Sequence, residues 1–344
     1  PLSVLNLQRF HMNTTVRANG CSVAPYAPNS RVGGMGMTLP LLRACQEIGV
    51  DLLPEHMVTA LQLHHSQIAA VEILRVADAH RFVVPCHSVI MATGGGGRVY
   101  GRTNNPVTTT GDGYHMLYEL GLSFRDMEFV QFYPLGLAEE ALPMWFMDLG
   151  MIDQVPLTNA TGEEFLLKLL HSWGLKSGRE GNLYARDRAS IAIADCWAKG
   201  DAPLLHLEKM PSERWENRYY KELLMLNRKD FDFTKQPIRV RPLVHYMSGG
   251  VQIDTDGKTE CPGLFACGEV TGGVDGANRI GGNALTNISH FGQKAGQSAA
   301  TYAQSRQKQP QIQPLSALPQ QSGFEQYSTL KKKLNQIMDD LVGP

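Results

Sequence analysis

The chain has 344 residues, of which 43% are hydrophobic and 19% charged, and a formal net charge of −1, which allows two domains with a sizeable apolar core. No run of lysines or arginines offers an electrostatic footprint for nucleic acid or an anionic membrane, so small molecules or other proteins are the expected partners. The six cysteines (Cys21, Cys45, Cys86, Cys196, Cys261, Cys267) show no CxxC and no zinc-ligand spacing, and no stretch of about 18 apolar residues is present, which excludes an evident metal knuckle or spanning helix and suits reduced thiols in a cytosol-like compartment.

Along the chain, residues 36–48 place Leu39, Leu42 and Ile48 near helical spacing and end at Gly49, a helix with its glycine stop. Short β-like runs follow at 50–53, 57–63, 67–76 and 81–84, and "HSVIMATGGGG" reads as a buried strand running into a glycine turn. From about Asn104 to about Pro237 the composition shifts to aromatic, Met and charged residues in mixed helical segments. At Ile238 the texture of strands and glycines returns, so one unit interrupts another. Residues 305–322 are rich in Gln and Pro and read as an extended linker. Beyond it Leu330, Leu334, Ile337, Met338 and Leu341 share one face of a helix that stops at Gly343–Pro344 and wants a partner. Pro1 is not an initiator methionine, which suggests a fragment.

Two glycine-rich stretches stand out. "ATGG" (92–95) follows a strand and "GGNAL" (281–285) opens a helix, where bare backbone admits a ligand and free amides favour an anion. Neither a Walker GK[ST] nor a GxGxxG after a strand is present, so the glycines alone leave a nucleotide site and simple tight turns both open. In 268–285 six glycines surround one cation, Arg279, and one acid, Glu269.

The ordered set "ATGG" (92–95), "TTGDG" (109–113), "MEFVQFYPLG" (127–136), "ARDRAS" (185–190), "VHYMSGGVQID" (244–254) and "PGLFACGEVTGGVDGANRIGGNAL" (262–285) is far more specific. It closely resembles the flavoprotein subunit family of fumarate reductases, succinate dehydrogenases and L-aspartate oxidases, over nearly the whole chain from about Arg31. The resemblance implies an α/β fold. A Rossmann-like FAD-binding domain (1–103 and 238–304) would carry an inserted α+β capping domain (104–237), followed by a linker and the first helix of a C-terminal helical domain (305–344). The βαβ unit that cradles the FAD pyrophosphate, and any histidine linking FAD covalently, would precede Pro1.

It also implies roles. FAD contacts fall on Thr93, Gly94, Gly95, Asp112, Gly268, Glu269, Asn283, Ala284 and Leu285; the plainer alternative for Asp112, compatible with the first, is the N-cap of a helix at 113–120. Arg279 and His245 would grip one substrate carboxylate, the first with a rigid charged fork and the second as an added donor. Arg186 matches the family's proton-transfer arginine: a hydride passes from flavin N5 to one alkene carbon while this residue protonates the other. Arginines hold their proton at any ordinary pH, so the role requires a relay refilled by neighbours, of which Asp187 is adjacent.

The chain departs from the pattern at one end of the site. Relatives usually read "QFHP", then "TE" and "RG", which supply the second carboxylate's ligands and the relay. Here the chain reads "QFYP", with Tyr133 in place of the histidine, followed by "LAEEALPMWFMDLG" with Met144, Trp145 and Phe146. One carboxylate grip survives while the other changes character, and Glu139, Glu140, Asp148 or Asp187 would have to complete the relay. The expectation is an FAD-dependent oxidoreductase acting on a C–C single or double bond beside a carboxylate. The alternatives are an amino-acid oxidase of the aspartate oxidase kind and a non-catalytic flavin-carrying subunit. A small carboxylate is the expected substrate, and no metal ligands are assigned. As electron partner, a soluble reductase, a quinone or an iron–sulfur electron-transfer subunit is equally compatible. The expected location is cytoplasmic, peripheral to a membrane at most through a partner.

Overall fold

The computed structural model describes residues 12–17, 20–25, 35–216, 220, 223–228, 231–307, 310–315 and 324–343. Pro1, Arg31 and Pro344 lie outside them, as do the side chains of Cys21 and Leu39 and the 316–322 part of the expected linker.

A hairpin of β1 (Met12–Arg17) and β2 (Gly20–Pro25) precedes α1 (Met35–Glu47). The helix ends where the glycine forecast it, but its termination takes more chain than expected. Val50 N bonds Cys45 O at 2.9 Å and Gly49 N bonds Gln46 O at 3.1 Å, with Gly49 at φ 81°. This paired closure needs a left-handed residue, which glycine supplies without steric cost. It also accounts for two corrections: Ile48 is 61% exposed rather than on the packed face, and the run 50–53 forms no strand.

The expected meander is present as β3 (His56–His64), β4 (Gln67–Arg75) and β5 (His80–Pro85), antiparallel with β4 central. Next, β6 (Val89–Met91) pairs in parallel with β14 (Leu264–Ala266), Val89 opposite Leu264. Parallel neighbours end on the same side, so the loops leaving β6 (92–97) and β14 (267–270) emerge together. Carboxyl ends of parallel strands are where open α/β sheets place ligands. A small sheet ordered β15 (Thr271–Gly272), β13 (Gly250–Gln252), β7 (Phe124–Arg125) continues that side, and α2 (Asp112–Glu119) lies between β6 and β7 in sequence.

The second layer is a five-stranded antiparallel sheet. Its order is β10 (Leu157–Thr158), β11 (Leu204–Leu205), β12 (Ile238–Met247), β8 (Val130–Leu137), β9 (Phe146–Met147). With α3 (Phe165–Ser172), α4 (Gly178–Tyr184) and α5 (Arg186–Ala198) it encloses the largest apolar core, whose buried members all fall between Leu135 and Val240. A second core joins the meander to β14 through Ile68, Met91, Leu117 and Leu264.

The long β8–β12 pair carries the register that matters. Val244 faces Phe132 and Tyr246 faces Gln131, which leaves His245 as the extra, unpaired residue of a bulge. Bulges re-aim one side chain out of the strand's alternation. The preceding segment pins this one: Thr103 Oγ1 donates to Val244 O at 2.9 Å and Asn105 Nδ2 to His245 O at 3.0 Å.

The last two helices are α6 (Asn283–Gln304), begun by Gly282 at φ 90°, and α7 (Phe324–Leu341). Between them residues 310–315 run without regular structure and are clasped to β3, Gln313 N bonding Gln62 Oε1 at 2.9 Å. On α7, Asn335 Nδ2 donates to Val99 O at 2.8 Å and Asp339 accepts from Gly101 N at 3.1 Å, while Leu330, Leu334, Ile337 and Leu341 are exposed. No helix among the described residues is long and apolar enough to cross a membrane.

Candidate active site

Two guanidinium groups meet on one amide. Arg186, the first residue of α5, and Arg279, from the glycine-rich loop, are 4% and 6% exposed. Arg186 Nη1 and Arg279 Nη2 both donate to Gln131 Oε1, at 3.0 and 2.8 Å, and Gln131 Nε2 donates to Arg279 O at 2.8 Å. Arg186 Nη2 reaches Asn182 O at 2.9 Å. The Nε of each arginine is buried and bonded to nothing. Buried donors without partners are rare in folded proteins, and two within one cluster mark a place for an acceptor from outside. Burial, together with the positive field of Arg186, pulls the Arg279 guanidinium below its usual range.

His245 leaves its bulge to lie against Tyr133 (ring centroids 5.2 Å apart) and Phe146 (5.0 Å), and these two rings contact each other at 4.2 Å. Its Nδ1 is 3.2 Å from Asn104 Oδ1. Burial first, then the charges of Arg279 and Arg186, lowers the imidazole from 6.5 to about 3, so it is neutral at working pH and carries one N–H. The Asn104 amide therefore decides which nitrogen holds that proton: its oxygen toward Nδ1 leaves Nε2 an acceptor, while its nitrogen there would leave Nε2–H to donate.

A pH effect follows. The folded value lies below the unfolded one, so the unfolded chain takes up the extra proton first. His245 therefore contributes stability that is complete above pH 6.5 and is lost as pH falls toward about 3. Melting curves at neutral and at mildly acidic pH should show a shallower acid loss in His245→Gln than in the native protein. Equal slopes would contradict the assignment.

Of the residues expected at the altered end, Tyr133 and Phe146 are in the cluster, whereas Met144 and Trp145 are 39% and 43% exposed and point outward. In the two-residue strand β9 successive side chains alternate, Phe146 facing the site and Met147 the core at 0% exposure, while Met144 and Trp145 precede the strand. Tyr133 is 5% exposed, its hydroxyl donates to Asn182 Oδ1 at 2.9 Å, and Arg186 Cζ lies 4.9 Å over its ring. Among the relay candidates, Asp148 joins this network by accepting from Asn182 Nδ2 at 2.9 Å, and Asp187 reaches it through Asn278, whose Oδ1 lies 3.5 Å from Gln131 Nε2. Glu139 is committed to Arg239 at 2.7 Å, Glu140 is exposed, and Asp187 is exposed with Asn278 as its partner at 3.3 Å.

The cofactor candidates gather at the paired loops. Glu269 lies against Gly95 so closely that a Cβ there would collide with the carboxylate, and Glu269 Oε1 accepts from Met247 N at 2.9 Å. Burial raises the Glu269 carboxyl above its usual range. Thr93, exposed, packs on Gly113 at the start of α2, and Gly94 takes φ 74°. Gly268, at φ 79°, directly precedes Glu269. Asp112 is not the N-cap: Gly111 holds that position, and Asp112 sits exposed in the first turn, accepting from the Thr110 hydroxyl. Asn283 donates to Asp275 Oδ1 at 2.8 Å, and Asp275 accepts from Tyr246 at 2.9 Å. Ala284 and Leu285 form the first turn of α6, half-buried. A turn further on, Asn287 is 3% exposed with neither amide atom bonded, and buried Ser248 Oγ is also unbonded. Unsatisfied polar atoms behind a glycine cradle and a helix start fit a flavin nucleotide.

Gln131 was absent from the expected site, though it stands in the "QFYP" stretch two residues before Tyr133. Strand alternation puts both on one face, and that signal was available. Asn104, Asn182, Tyr246 and Asp275 gave no comparable sign.

Known proteins are similar to this chain over most of its length. Residues 11–285 match the family described as FAD binding domain. The fumarate reductase flavoprotein of Haemophilus influenzae is 30% identical over 324 residues, 86% of this chain and 53% of that protein. The L-aspartate oxidase of Mesorhizobium japonicum is 34% identical over 233 residues, 67% of this chain and 43% of that protein. Among solved structures, a quinol-fumarate reductase with menaquinol molecules superposes with a TM-score of 0.78 at 26% identity, covering 95% of this chain and 61% of the other. The chain thus spans about half the length of the curated relatives it matches. Its α/β fold and its paired glycine loops are those of a flavoprotein, and the chain belongs to the FAD binding domain family.

Proposed function

We propose that this chain carries the substrate site of an FAD-dependent oxidoreductase that exchanges a hydride with a carbon of a C–C bond beside a carboxylate. The observation that carries this reading is the pair of buried arginines meeting on Gln131, each with an unbonded Nε, next to a neutral His245. FAD, when bound, supplies the two-electron exchange at N5. Thr93, Gly94, Gly95, Asp112, Gly268, Glu269, Asn283, Ala284 and Leu285 would hold it. Arg279 and His245 bind and orient the carboxylate, and residues 104–237 close over it to exclude water.

Arg186 holds the proton destined for the second carbon. Its Nη1 and Nη2 are tied to Gln131 and Asn182, and Nε–H is the donor without a partner. The aromatic wall of Tyr133 and Phe146 favours an enoate bearing an apolar substituent over fumarate, since burying such a group gains roughly 1.5 to 3 kcal/mol while stranding a second carboxylate costs more. Electrons would arrive from an iron–sulfur subunit or another reduced carrier in the cytoplasm. The similarity to an L-aspartate oxidase supports a second reading, oxidation of an amino acid beside its carboxylate.

The test is anaerobic. Full-length enzyme reduced with dithionite is mixed with cinnamate, alkyl acrylates and fumarate in turn, and oxidised enzyme is mixed with L-aspartate. Rapid flavin reoxidation by an enoate is expected. Flavin that no enoate reoxidises would sink the proposal, and oxidised flavin bleached by L-aspartate instead would establish the second reading.

A further inference from the structure

The guanidinium of Arg279 is held on an edge and on a face. Gln131 Oε1 takes the edge at 2.8 Å, and the ring of Tyr246 covers the face, its centroid 4.2 Å from Arg279 Cζ. Tyr246 is 7% exposed and stands opposite Gln131 in the β8–β12 pair, so both supports come from facing positions of one sheet. The Tyr246 hydroxyl donates to Asp275 Oδ2 at 2.9 Å, and the other oxygen of that carboxylate accepts from Asn283 Nδ2 at 2.8 Å. Asn283 is the first residue of α6, which runs to Gln304. Burial, then the Asp275 charge, raises the Tyr246 phenol above its usual range, so the hydroxyl keeps its proton and the direction of the bond is fixed.

The loop that carries Arg279 gives it little support of its own. Gly276 at φ 60° and Gly282 at φ 90° flank the arginine, and backbone of this kind is costly to fix and poor at holding a side chain still. A long helix is a firmer base than a loop, and Asp275 is tied to the first residue of one. A phenol that donates to a carboxylate also has a more electron-rich ring, which grips a cation more firmly.

We propose that Asp275 is a positioning residue for the proposed reaction: anchored to the head of α6 by Asn283, it holds Tyr246 against Arg279 and so sets the guanidinium for the substrate carboxylate. Asp275 acts through Tyr246, and Tyr246 through Arg279. The inference rests on the proposed reaction, because it concerns the support of the arginine to which that reading gives the carboxylate. A plain charge effect would have the opposite sign. The field of Asp275 reaches Arg279, and removing a negative charge there would by itself tighten an anion, whereas losing the brace loosens it.

In oxidised full-length flavoenzyme, Kd for crotonate is read from the change in flavin absorbance, and kcat and KM from oxidation of reduced viologen. Asp275→Ala and the size-matched Tyr246→Phe should each raise Kd and KM about tenfold, the usual effect of one hydrogen bond to a charged group. Because Arg279 keeps its charge and its bond to Gln131, kcat should stay within about threefold. The double variant should be no more than about twofold worse than either single one, since both cut the same bond. Tyr246→Phe, which keeps the ring, decides alone if Asp275→Ala fails to fold. Unchanged or tighter crotonate binding in the variants would overturn the proposal, as would losses that multiply in the double variant or a loss confined to kcat. If the native enzyme neither binds nor reduces a carboxylate, the proposed reaction falls and takes this inference with it. Native turnover with variants of native Kd and KM removes this inference alone.

Discussion

Replacing Arg186 with glutamine is expected to lower turnover of the full-length enzyme about 100- to 10,000-fold while leaving FAD binding nearly intact, the usual range for loss of a general acid. The side chain is buried and tied to Gln131 and Asn182 through its terminal nitrogens, which leaves its Nε–H for that role. Arg279→Gln should behave differently. That change removes the charged fork proposed to hold the carboxylate in both ground and transition states, so KM and turnover should both suffer. Single-turnover reoxidation of the reduced flavin separates the two cases, because it isolates chemistry from product release. Arg186→Gln with near-native single-turnover rates would end the proton assignment.

The contrast between these arginines also shows what the sequence could and could not convey. Local signals were readable where the physics is local. Gly49 ended α1, the alternating runs gave the meander, and "GGNAL" marked the start of α6, because each rests on neighbours in the chain. The run 50–53 misled because its apolar content looked like a strand while the preceding helix used Val50 to close itself.

Within the site, residue types were legible and partnerships were not. The bulge that aims His245 depends on register between β8 and β12, more than 100 residues apart, and nothing in either segment encodes it. Glu139 looked available for proton transfer until Arg239, 100 residues later, was seen to hold it. Three adjacent bulky residues, Met144, Trp145 and Phe146, could not be sorted by composition. Of the three, Phe146 lies in a strand and turns inward.

Gln131→Leu should cost on the order of 3 to 6 kcal/mol of stability, even though the side chain is matched in size. The leucine would leave Arg186 Nη1, Arg279 Nη2 and Arg279 O without their bonds in a site where Gln131 is 7% exposed. Each stranded buried polar group costs roughly 1 to 3 kcal/mol. Gln131→Glu makes the opposite test. A carboxylate between two guanidiniums gains charge pairing that offsets the lost donation to Arg279 O, so the melting temperature should stay near native, while KM should rise at least about tenfold with a smaller change in kcat if the pair's charge holds the proposed carboxylate. A neutral acceptor holds two cations together without neutralising them, and that is the physical reason for an amide at this position. Thermal melts together with steady-state kinetics on both variants decide the matter: a stable Gln131→Leu protein, or a Gln131→Glu enzyme with native KM, would show that the arginine pair is organised by something other than this amide.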